Sequence, residues 1–153
     1  MTQHQRVTFT QGREVLEHAV GFLRQTAGTL EDLNDQPQAE RVAMLLSSVI
    51  REQRSLLDAV DRFAEDAPDK ALDTYAQYTV ELPGDQGAPA LPLTNLGLLQ
   101  WVVARNNCLY EMFAELAGTA PTREIGEVFE GVAQQVQAHD RRLSKEYQRF
   151  EDL

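Results

Sequence analysis

The chain has 153 residues, 42% of them apolar and 25% charged, a balance that fits one globular domain and is too apolar for disorder. Asp and Glu number 24 against 14 Lys and Arg, a net charge of −10, which argues against nucleic acid as the main partner because phosphate contacts need a basic surface. The single cysteine, Cys108, excludes an intrachain disulfide and a thiolate metal cluster; no apolar run approaches the roughly 20 residues of a membrane span, and MTQHQRVTFT lacks a signal-peptide core, so a cytoplasmic protein is expected.

Four stretches carry helical periodicity. The first spans about Thr10 to Leu33, with Leu16, Ala19, Val20, Leu23, Ala27, Leu30 and Leu33 three or four apart. Thr10 is its candidate N-cap, and Glu14 suits the positive end of the helix dipole. His18, beside Glu17, is expected at the surface. The second stretch runs from about Pro37 to Ala64, with Pro37 at the first helical position, where a missing N–H costs nothing. The third covers Leu98 to Leu116, with Thr94 or Asn95 as cap, and the fourth covers about Arg123 to Phe150, capped by Thr122.

The connections are unequal. Asn34-Asp35-Gln36 and Ala117 to Pro121 are short links, which make antiparallel hairpins. Between the second and third helices lies Ala67 to Leu93, with four of the six prolines. Asp69 to Tyr78 could form a short helix there, and the remainder reads as extended loop. A link of that length can travel the full bundle. The expectation is therefore an all-α, single-domain four-helix bundle over residues 1–153: a hairpin at about 10–64, a crossover at about 67–93 and a hairpin at about 95–150, the ferritin-like form. The crossover should dock through Leu72, Tyr75, Tyr78, Val80, Leu82 and Leu91, leaving the second and third helices parallel. The second and fourth helices also align with each other, Val42, Leu45, Val49, Leu56 and Phe63 falling on Phe129, Val132, Val136, Leu143 and Phe150, a pattern that fits a duplicated hairpin.

Both of these helices carry a seam stepping by four and three. The seams are Val42, Leu45, Val49, Glu52, Leu56, Ala59, Phe63 and Ile125, Phe129, Val132, Val136, His139, Leu143, Glu146, Phe150. A polar residue interrupts each at the same level, Glu52 in one and His139 in the other. A buried polar group costs free energy unless it is paired, so these two positions mark a candidate site.

Tyr110, the run Phe113-Ala114-Glu115-Leu116-Ala117, Glu127-Val128-Phe129 and His139 give the stretch Leu98 to Tyr147 a pattern that resembles the hairpin of rubrerythrin-like members of the ferritin-like superfamily. The resemblance implies a di-iron or related carboxylate site, with one Glu from each of the first and third helices and a Glu-x-x-His from each of the others. Of those seats only the fourth helix's histidine, His139, is kept. Val136 stands at its glutamate seat, Glu52 and Val49 at the second helix's pair, Ala104 to Asn106 at the third helix's seat and Phe22 or Leu23 at the first. One His and one Glu cannot satisfy two hard metal ions, so no metal and no cofactor is expected.

The functional expectation is a metal-free interaction or structural module, forming a homodimer through helix faces because no long strand-like run exists, with an unidentified protein partner and neither nucleic acid nor membrane as target. The alternatives are a small-molecule-binding protein or enzyme using the emptied metal cavity, or a residual metal-dependent oxidoreductase. No catalytic residue is assigned. The candidate bundle-centre polar cluster is Glu52, His139, Arg105 and Asn106, with Arg105 expected to reach inward and pair with Glu52, and His139 within hydrogen-bonding distance of one of them.

Overall fold

A computed structural model describes residues 4–83 and 86–151. In chain order they form β1 (His4–Gln11), α1 (Gly12–Asn34), α2 (Glu40–Asp66), α3 (Asp69–Asp73), β2 (Tyr75–Pro83), α4 (Asn95–Gly118) and α5 (Arg123–Glu151).

The two strands correct the expectation of an all-α four-helix bundle without strand-like runs. They pair antiparallel, with Val7 opposite Val80 and Phe9 opposite Tyr78. Each strand alternates: Val7 and Phe9 share one face while Arg6 and Thr8 take the other, and Tyr78 and Val80 alternate with Gln77, Thr79 and Glu81. The apolar face lies on the helices. Tyr78 and Val80 are buried, and the Tyr78 ring meets Phe129 edge-on at 5.7 Å. On the outer face the Thr8 and Thr79 hydroxyls are 3.0 Å apart and Arg6 stands across from Glu81. The helix expected over Asp69 to Tyr78 stops at Asp73, since the β-branched and aromatic residues from Thr74 onward fit a half-buried strand better. Of the crossover residues expected to dock, Leu72, Tyr78 and Val80 are buried and Leu82 is half-buried, whereas Tyr75 and Leu91 project into solvent at 76% and 64% exposure.

The helix ends also differ from expectation. Because β1 runs to Gln11, α1 begins at Gly12, and Thr10 donates its hydroxyl to the Glu14 carboxylate at 2.7 Å instead of capping the helix. Helix α2 begins at Glu40, leaving Pro37 in the connection, where the Gln38 side-chain amide donates to the Leu33 carbonyl. At α4 the cap is Thr94, whose hydroxyl accepts from the Gly97 N–H at 3.0 Å, and Thr122 accepts from the Ile125 N–H at the start of α5. His18 is half-buried, its ring 5.4 Å from that of Phe9 on β1. The strand that covers it is what removes it from the surface.

Cross-helix partners give the directions. Along α2 and α5, Ser48 meets Glu146, Gln53 meets His139, and Phe63 lies against Gly131. Along α4 and α5, Asn95 meets Glu151, Asn106 meets Asp140, and Phe113 packs on Phe129. Rising numbers on one helix meet falling numbers on the other in both cases. Helices α2 and α4 are both antiparallel to α5 and hence parallel to each other.

The buried apolar residues fall into two clusters. One, at the end nearest the sheet, gathers Leu16, Leu23, Leu56, Phe113, Ile125 and Phe129 with the strand residues Tyr78 and Val80. The other, at the opposite end, gathers Leu30, Leu45, Leu46, Leu98, Val102 and Leu143. Each fully buried leucine or phenylalanine contributes on the order of 1.5–3 kcal/mol. The residues between the clusters in every long helix are polar: Thr26 in α1, Gln53 in α2, Arg105 and Asn106 in α4, and His139 in α5, each 5% exposed or less.

Candidate functional site

This polar layer is the most unusual feature of the interior. Burying an amide or imidazole is tolerable when its donors and acceptors find partners. Gln53 and Asn106 satisfy each other through a reciprocal amide pair: Gln53 Nε2 donates to Asn106 Oδ1 at 3.1 Å, and Asn106 Nδ2 donates to Gln53 Oε1 at 2.8 Å. The second Asn106 Nδ2 hydrogen goes to Asp140 Oδ1 at 3.2 Å. His139 Nε2 lies 2.6 Å from the same Gln53 Oε1.

These contacts fix one another in sequence. A carboxylate accepts only, so Asp140 turns the NH2 group of Asn106 toward itself. The same NH2 then faces Gln53 Oε1, and that oxygen, also an acceptor, places the imidazole proton on His139 Nε2. Nδ1 is left as a bare acceptor with no partner among the described residues. The imidazole is neutral: burial, then repulsion from Arg142, push its pKa down to about 4. Burial acts oppositely on Asp140 and pushes its carboxyl up to about 6, against the lowering effect of the Asn106 hydrogen bond.

A second half of the layer faces α1. Arg105 Nε donates to the Thr26 hydroxyl at 2.8 Å, and Thr26 in turn donates to the Phe22 carbonyl. The guanidinium carbon sits 4.2 Å from the centre of the Phe22 ring and 5.2 Å from that of Trp101, within cation–π range of both.

Of the four residues expected at the bundle centre, His139, Asn106 and Arg105 lie in this layer, but the expected Arg105–Glu52 ion pair is absent. Glu52 points to the outer edge between α2 and α5, its side chain 25% exposed, with Arg142 Nε 3.5 Å from its Oε2. Gln53, one residue on, occupies the interior seat. Residues 52 and 53 stand three and four positions after Val49, so both belong to the face that Val49 opens. Packing against α5 selects the second. His139 therefore bonds to an uncharged amide, and Arg105 turns to the aromatic side chains of α1 and its own helix. Asp140, which orients the amide pair, goes unanticipated because it lies one position off the α5 seam.

The donor set does not fit a two-metal centre. Both Gln53 and Asn106 are spent on each other, His139 has only Nδ1 left, and among the described residues Asp140 is the one carboxylate hydrogen-bonded to this group of three. Among the described residues no three His, Cys, Asp or Glu side chains converge as a metal site. Cys108 is half-buried and donates weakly to the Ala104 carbonyl, as a small apolar residue would. Among the described residues no helix is long and apolar enough to cross a membrane. The chain matches no protein-family model, and the comparisons with curated proteins and with solved structures gave no match.

Proposed function

We propose that this chain is a metal-free, protein-interaction module that self-associates through its helices. The observation that carries the reading is the reciprocal Gln53–Asn106 amide pair, which occupies the middle of the helix assembly and takes the His139 Nε2 hydrogen bond as well. Carboxylates that would draw a cation inward are replaced by amides that bond to each other. In this reading the resemblance of the second hairpin to rubrerythrin-like proteins is one of helix packing, without metal chemistry. Self-association has its support in Met44, Leu91 and Leu96, large apolar side chains between 46% and 64% exposed, all near the end where α2 and α4 begin. A second copy covering that surface would bury this apolar area without needing strand edges.

The test is elemental analysis of protein purified without added metal or chelator, together with its mass by sedimentation. The expected result is less than stoichiometric iron, manganese and zinc, and a mass of two chains at micromolar concentration. One or two metal ions per chain would overturn the metal-free reading, and a monomeric mass would remove self-association from it.

A further inference from the structure

At the opposite end of the molecule from Met44 and Leu96, a cleft of about 590 Å3 opens between the C-terminal half of α2 and the N-terminal half of α5. Its apolar lining is Ala59, Phe63, Ala67, Pro68 and Val128. The Phe63 ring lies directly on Gly131: a Cβ at Gly131 would stand 2.6 Å from Phe63 Cε1. The absent side chain is what lets the ring settle against α5 and become part of the cleft wall.

The charge around this cleft is predominantly negative, three carboxylates against one guanidinium. Asp66, Glu124 and Glu127 line it, with Arg62. Adjoining surface depressions continue the pattern with Asp61 and Glu65 along α2 and Glu130 along α5. Arg123 is engaged by Glu127 at 3.0 Å, whereas Asp66 and Glu124 make no ion pair among the described residues. A low-dielectric groove edged by carboxylates concentrates a negative potential on whatever enters it.

We infer that this cleft docks a basic amphipathic helix of a partner protein, with one large apolar side chain seated between Phe63 and Val128 and Lys or Arg residues reaching Asp66 and Glu124. Charge complementarity selects this occupant. A second copy of this chain would bring a net charge of −10 and the same acidic rim, and nucleic acid would bring phosphates. Two adjacent helices with an apolar seam between them are the surface on which a third helix packs, its anchors one turn apart. The inference rests on the reading of the chain as an interaction module and adds the chemistry of the partner.

The probe is a fluorescein-labelled peptide of Leu and Lys at amphipathic helical spacing, titrated with the full chain at about 0.1 M ionic strength, where the Debye length is about 10 Å, and followed by anisotropy. Saturable binding is expected, weakened by about tenfold or more when Asp66→Lys and Glu124→Lys are combined. Both positions are exposed, so the variant keeps its fold, which circular dichroism checks. The same charge change at the far end, Asp32→Lys with Asp35→Lys, should alter affinity by less than about twofold, because a distant charge is screened. A peptide with its Leu residues replaced by Ala, and a scrambled isomer, should each bind more weakly by at least about tenfold. No binding, equal binding of the scrambled peptide, or equal weakening by the distant pair would each overturn the inference. None of these outcomes bears on metal content or on mass, so failure of the docking site is distinguishable from failure of the underlying reading.

Discussion

His139 and Asp140 are neighbours in the chain whose protons pull stability in opposite directions. In the folded protein His139 titrates near pH 4 instead of 6.5, so the unfolded chain takes up the proton first and stability falls as pH drops from about 6.5 to about 4. For a group this buried the loss is on the order of 2–3 kcal/mol. Asp140 titrates near pH 6 instead of 3.8, so the folded protein takes up that proton first and stability rises as pH drops from about 6 to 3.8. The two effects offset each other over most of the same window. Asp140→Asn keeps the acceptor for Asn106 but removes the gain. It should lose stability more steeply than the parent between pH 7 and 4.5, whereas His139→Gln, which keeps a donor for Gln53, should gain stability as the pH falls. Urea midpoints at several pH values measure both slopes, and parallel pH profiles for the two variants would contradict the assignment.

The long helices use their glycines for different ends. Gly21, inside α1, has nothing within 4 Å of a would-be Cβ, so there the residue only adds freedom to the unfolded chain and weakens the helix. Gly21→Ala should stabilise the protein by about 0.5–1 kcal/mol. At Gly131, inside α5, an added Cβ would stand 2.6 Å from the Phe63 ring, and an aromatic ring cannot bend away as a flexible chain end can. Gly131→Ala should therefore forfeit that gain, and Gly131→Leu should cost about 1–3 kcal/mol by forcing α2 and α5 apart. Thermal melts of the three variants rank them. A Gly131→Ala protein as much stabilised as Gly21→Ala would mean that Phe63 does not rest on α5.

Across the whole molecule, the polar layer divides what could have been one apolar core into two. Every long helix contributes to it, so it sets the helices in register along their length. Removing one member strands others: Asn106→Leu leaves the Gln53 Nε2 donor without its acceptor and Asp140 without its donor, a cost of about 1–3 kcal/mol for each group left unsatisfied. Replacing Gln53, Asn106 and His139 together with Leu, Leu and Phe removes the three side chains that hydrogen-bond one another, while the Arg105–Thr26 pair stays. That triple variant should be more stable than Asn106→Leu, and its deficit should be smaller than the summed deficits of the three single variants, as measured by denaturant unfolding. Additive losses would show that the three side chains do not act as a unit.

The helical periodicity, the two short connections and the Pro-rich crossover were readable directly, because each is a local property: apolar spacing of three and four, capping residues, and residues that cannot continue a helix. His139 could be singled out for the same reason, as a polar residue within an apolar seam, whereas Arg105 and Asn106 are marked by the seat that the resemblance assigns to the third helix. The strands could not, although Val7-Phe9 and Tyr78-Val80 alternate as strands do. An isolated pair of strands is marginal in water, and this partnership joins chain segments on either side of the first helical hairpin, so only the assembled helices, by offering Phe129 and its neighbours as a floor, bring the strands together. Nor could the choice between Glu52 and Gln53. A helix turning 3.6 residues per turn puts both on the face opened by Val49, and the approach of α5, which holds Arg142 outside and His139 inside, decides which one is buried. The sequence by itself determined where helices form and which levels of them are polar; the tertiary structure alone decided which neighbouring side chain turns inward and which bond it makes, because those are properties of two surfaces meeting and not of either surface alone.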